Sequence, residues 1–105
     1  MVEKVFKLTQ GDKGVVEKLL FDENINYVHV ILVADEGFPE HFSNSNVYMT
    51  ILRGRISLNL ADQGIHEYEG GTMVAIPNNT KMHIQNLHQE PLELIIVKAP
   101  APKEA

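Results

Sequence analysis

Apolar residues recur at every second position along this chain, in short runs cut apart by glycine, proline and asparagine. Successive side chains on a strand point to opposite faces, so this period commits the chain to β-sheet. Arg55-Ile56-Ser57-Leu58-Asn59-Leu60 alternates most cleanly, which predicts one packed and one wetted face. Ile25 to Val33 is β-branched and apolar on both parities, the pattern of a strand covered on both sides. Val47–Leu52, Ile65–Tyr68, Thr72–Ile76, Lys81–Leu87 and Leu92–Lys98 read as further strands. Asp62-Gln63-Gly64, Gly70-Gly71 and Pro77-Asn78-Asn79 supply the turns between them.

The ends of the chain carry weaker patterns. Val2–Leu8 reads as a strand that stops at Gly11-Asp12-Lys13-Gly14, while Val15–Phe21 suits a strand or one helical turn equally. Ala99-Pro100-Ala101-Pro102 predicts an extended, exposed tail. The chain therefore divides into an N-terminal strand segment (1–24), a barrel (25–98) and a tail (99–105). Eight or so strands at spacings of about 8–12 residues, without a helix, define an all-β sandwich or barrel.

With 105 residues there is room for one core. The absence of cysteine removes disulfides, thiolate nucleophiles and cysteine-ligated metals. A net charge of −5 predicts no nucleic-acid and no membrane partner, since both need a clustered cationic face. No apolar run approaches the roughly 20 residues of a membrane span, and Met1–Val5 has no signal-peptide character, so the expected location is cytoplasmic. Imidazole, carboxylate, hydroxyl and amide groups are left to carry any chemistry.

Two stretches resemble a known family. Gly37-Phe38-Pro39-Glu40-His41-Phe42-Ser43 followed by Val47 to Gly54 resembles the first motif of the cupin superfamily. Gly71, Pro77 and Asn86 fall at the spacings of the second motif. The resemblance spans about residues 25 to 98 and implies a double-stranded β-helix, the cupin jelly-roll barrel, with a pocket between its two sheets. In metal-binding cupins two histidines and a glutamate of the first motif and a histidine of the second hold one ion. Here those positions read His41, Ser43, Val47 (or Tyr48 at the longer spacing) and Met82, with His83 one place along. One ligand of four is kept, and a hydroxyl and a thioether are poor donors for iron, manganese or zinc.

On this basis the ligand-binding candidates are His41, Ser43, Asn46, Met49, Met82 and Asn86, and no catalytic residue is singled out. The favoured reading is a small-molecule binding barrel without the usual metal. The alternative is a metal-dependent enzyme, oxygenase-like or isomerase-like, using a divalent ion held by His41 with His29 or His83. His29 shares a parity with Tyr27, Ile31 and Val33 and is a candidate for facing the interior; a buried residue hydrogen-bonded to Tyr27, Ser43 or the backbone is favoured over a ligand. A lone His41 acting as a proton shuttle is a third reading. His66 and His88 read as surface groups, and Asp35-Glu36 as a solvated loop. Apolar strand material at the start of the chain predicts a homodimer formed by sheet addition.

Overall fold

The computed structural model describes residues 1–103, in which every regular element is a β-strand. No helix in it is long and apolar enough to cross a membrane. A five-stranded antiparallel sheet contains β1 (Val15–Phe21), β2 (Asn26–Leu32), β9 (Leu92–Lys98), β4 (Val47–Arg53) and β7 (Thr72–Ile76), in that spatial order. The facing sheet contains β3 (His41–Phe42), β8 (Lys81–Gln85), β5 (Arg55–Leu60) and β6 (Ile65–Glu69). The two form a double-stranded β-helix.

Alternation decides what each sheet buries. Val47, Met49 and Ile51 of β4, Leu92 and Leu94 of β9, and Val30 of β2 pack against Ile56 and Leu58 of β5 and Ile84 of β8. Each is at most 2% exposed, and burial of such a side chain contributes about 1.5–3 kcal/mol before entropy is counted. This dense packing fills the end of the barrel where β4 turns into β5. Gly54 makes that turn at φ +80°, and a Cβ there would collide with the Pro91 carbonyl oxygen. Only glycine permits both the left-handed backbone and the close approach of the β8–β9 loop.

The two ends of the chain depart from expectation. Val15–Phe21 is a strand, pairing with β2 through a bulge between Lys18 and Leu20. Val2–Leu8 is not: β1 already occupies the pairing edge of β2, so the earlier residues form a largely exposed irregular arm. This arm is fastened at residues 9–12. Thr9 donates to Glu17 from its amide (2.9 Å) and its hydroxyl (2.6 Å), and Arg53 reaches Asp12 at 2.8 Å and the Gly11 carbonyl. The tail is held as well: Ala99 N–H donates to Asn46 O (3.1 Å), Ala101 N–H to Asn24 O (2.9 Å), and Ser45 Oγ to Pro100 O (2.5 Å). Ala99, Ala101 and Pro102 are consequently half-buried, and 104–105 lie outside the described residues.

Candidate functional site

At the end of the barrel opposite Gly54 the sheets enclose a cavity of about 460 Å³. Small-molecule pockets commonly fall between about 300 and 1,000 Å³. One wall is the inward parity of β1, β2, β4 and β9, with Val16, Val28, Val30, Val47 and Ile96. The opposite wall is Met82 and Ile84 of β8, with His41 of β3 beside them. Phe38 and Pro39 close the side, because Gly37-Phe38-Pro39 ends the run after β2 and folds back along β8, where Phe38 N–H donates to Ile84 O at 3.0 Å.

The first and last motif positions meet across this wall: His41 and Met82 are direct cross-strand partners. His41 Nδ1–H donates to Pro39 O at 2.9 Å, which leaves Nε2 as the atom free to meet a ligand. Ser43 also lines the cavity, but its hydroxyl is occupied. It donates to Pro77 O (2.8 Å) and accepts from Thr80 N–H (2.8 Å), latching β3 to the β7–β8 turn. Val47 and Met82 add no hard donor. These four positions do not fit a first-row divalent ion, and no cluster of three histidine, cysteine or carboxylate residues among those described offers another site.

The remaining predicted residues are placed elsewhere. Met49 points inward but belongs to the packed core below the cavity. Asn46 is exposed, and its Oδ1 accepts from Asn78 N–H at 3.1 Å, steadying the β7–β8 turn. Asn86 is fully buried in a structural role: Nδ2 donates to Leu32 O (3.0 Å) and Glu90 O (2.8 Å), and Oδ1 accepts from His88 N–H (3.0 Å). Its amide ties the end of β2 to the loop between β8 and β9, and it does not line the cavity.

His29 is buried and hydrogen-bonded, as favoured from the sequence, but on the other face and with other partners. It is 0% exposed, yet it lies on the outer face of the five-stranded sheet, because Val28, Val30 and Leu32 hold the inward parity. Glu17 Oε1 stands 2.7 Å from Nδ1 and Glu93 Oε2 2.5 Å from Nε2. The ring thus bridges the two carboxylates through both of its nitrogens. Arg53 Nε adds a further donor to Glu93 at 2.8 Å. Hydrogen bonds from Thr9 and then His29 pull the Glu17 carboxyl down to about 2. Burial pushes Glu93 up, but Arg53 and His29 outweigh it and hold the group below the usual carboxylate range. His83 occupies the outward parity of β8, opposite to Met82. The histidine pairings considered for a rearranged metal site are therefore not brought together.

His88 is more than a surface group. It is half-buried, with Nε2 2.5 Å from Glu67, which also accepts from Ser57 Oγ at 2.7 Å. The carboxylate sits between hydroxyl and imidazole, so Ser57 and His88 do not make the serine–histidine contact that activates a nucleophile.

Sequence reasoning missed the cationic rim. Lys18, exposed, and Lys98, half-buried, both line the cavity, with Phe21 and Asn26 nearby. Lys98 ends the inward series Leu92, Leu94, Ile96, so its stem continues an apolar wall and its ammonium lies at the edge. Burial pushes that ammonium below its ordinary value, and the charge of Lys18 acts in the same direction. The signal was available: a lysine at the end of an inward parity can only point into, or out of, the cavity mouth.

An all-β barrel of this topology, with a cavity at the motif positions, defines a double-stranded β-helix protein. No family model matches the chain. The chain is 43% identical over 105 residues to an uncharacterized protein, MJ0764, of Methanocaldococcus jannaschii, covering 99% of this chain and 90% of that one. The crystal structure of that relative, described as an RmlC-like cupin family protein with a double-stranded β-helix fold, superimposes with a TM-score of 0.93, covering 97% of this chain and 94% of that one at 42% identity. A double-stranded β-helix protein of Klebsiella pneumoniae (TM-score 0.80, 12% identity, 95% and 87% covered) shares the fold. So does the cupin domain of Schizosaccharomyces pombe Cnp3 (TM-score 0.74, 20% identity, 81% and 63% covered). The chain belongs to the cupin superfamily.

Proposed function

We propose that this cupin binds a small, mainly apolar molecule in the cavity between its sheets, without the divalent ion of the family's metal-binding members. The observation that carries this reading is the wall itself. Where a metal-binding cupin supplies imidazole and carboxylate donors, this chain supplies Val47, Met82 and a serine whose hydroxyl is already bonded on both sides. Burial of an apolar ligand against Val28, Val30, Ile84 and Ile96 supplies affinity in proportion to area removed from water. His41 Nε2 is the polar group available to orient it.

Two measurements test the reading. Protein purified without chelators is analysed for metal; the expected content is far below one ion per chain. Near-stoichiometric metal that disappears in His41→Ala overturns the proposal. Separately, the uncharged fluorophore N-phenyl-1-naphthylamine should bind saturably and lose at least about tenfold in affinity in Met82→Trp, which fills the cavity.

A further inference from the structure

We propose that the ligand is an amphipathic carboxylate, its apolar body in the cavity and its carboxylate held at the mouth by Lys98 and Lys18. This rests on the cavity reading above and adds the chemistry of the ligand's polar end.

Three observations converge. First, the two ammonium groups lie on one rim without counter-charge. Arg53, Arg55 and Lys81 are each paired with carboxylates; neither Lys18 nor Lys98 has an acidic partner among the described residues, and of the unpaired lysines only these two line the cavity. Lys98 has only the Asn44 amide oxygen, at 3.3 Å, and Lys18 lies 5.6 Å from the centre of the Phe21 ring. Second, this rim opposes the whole molecule, whose net charge is −5. An acidic chain that places two unpaired cations together at an apolar cavity raises the local anion concentration there. Third, Lys98 is already partly desolvated against Ile96 and carries a like charge as neighbour, an arrangement that a bound anion relieves. Both groups are ammoniums rather than guanidinium forks, and no glycine-rich loop cradles the site. A single carboxylate, accepting one charge-assisted bond from each, matches better than a phosphate.

The test uses the full-length chain with N-phenyl-1-naphthylamine as the displaced probe and octanoate, 1-octanol and octylamine as competitors of equal chain length. Octanoate is expected to displace the probe at about tenfold lower concentration than octanol, with octylamine weakest. Lys98→Met keeps an apolar stem at the rim; it should abolish the advantage of octanoate over octanol, and Lys18→Met should reduce it. Equal displacement by octanoate and octanol, with saturable probe binding, overturns the head-group assignment and leaves the cavity reading standing. Absence of saturable probe binding overturns the cavity reading and this proposal with it. A preference for octanoate that survives Lys18→Met and Lys98→Met together also overturns the assignment.

Discussion

His41 and Met82 are cross-strand partners on β3 and β8, so an imidazole and a thioether flank the same wall of the cavity. Two of the four motif positions are thus juxtaposed, and of the two only Met82 departs from the metal-binding donor set. Replacing Met82→His together with Val47→Glu supplies two hard donors beside His41 while leaving the Ser43 latch intact. The double variant is expected to take up roughly one zinc per chain, measured by atomic absorption after dialysis, through the usual set of three protein donors. Uptake no greater than wild type would show that these positions do not converge.

The outer face of the five-stranded sheet depends on His29. His29→Ala leaves Glu17 and Glu93 without the imidazole that bridges them, and losing hydrogen bonds to charged groups costs about 1.5–3 kcal/mol. Urea unfolding should show that loss, while probe binding in the cavity on the other face stays unchanged. A loss below about 0.5 kcal/mol would mean that the imidazole contributes nothing to holding the sheet.

Acid should act through the same network. Glu17 is pulled from 4.5 down to about 2, and Glu67 and Glu93 are also lowered. A carboxyl whose folded-state value is depressed stabilises the fold above its unfolded value and loses that contribution as pH falls toward the folded one. The melting temperature should therefore be flat near pH 6 and fall between about pH 4.5 and 2. Glu17→Gln should melt lower than wild type at pH 6 and fall less steeply, the two curves converging near pH 2. Parallel curves would remove Glu17 from the account.

Asn86 should be the most sensitive amide in the chain. Asn86→Ala strands the Leu32 and Glu90 carbonyls and the His88 N–H, at a cost on the order of 3 kcal/mol in denaturant unfolding. Asn46→Ala, which removes one exposed contact, should cost under about 1 kcal/mol. Comparable effects at the two sites would contradict the buried role of Asn86.

Association is expected through β1. It is the edge of its sheet, and Val16 and Phe21 are half exposed on it. An open edge bearing apolar side chains invites a second strand. Light scattering should give about twice the 11.8 kDa chain mass at micromolar concentration, and Leu19→Pro in β1 should reduce it. A single-chain mass for wild type refutes the dimer.

The barrel was legible because alternation and turn residues are local signals, and Gly71, Pro77 and Asn86 fixed the register of the second motif. His41, Ser43 and Met82 were placed correctly on the cavity wall for the same reason. The burial of His29 is legible, but its face is not, because its strand is apolar on both parities; Glu17 and Glu93, distant in sequence, decide it. Asn46 and Asn86 were misassigned because an amide serving a loop and one serving a ligand look alike until its partners are known. Lys18 and Lys98 were overlooked because lysine is ordinarily read as solvated surface.

The closure at Gly54 and the dense core beneath it leave the cavity at the other end of the barrel, with Lys18 and Lys98 in its lining. Under the proposed reading, an occupant that fills the cavity must leave before its successor enters. In a stopped-flow chase the release rate of a bound fluorophore should accordingly be set by the fluorophore alone, and remain constant however much competitor is added.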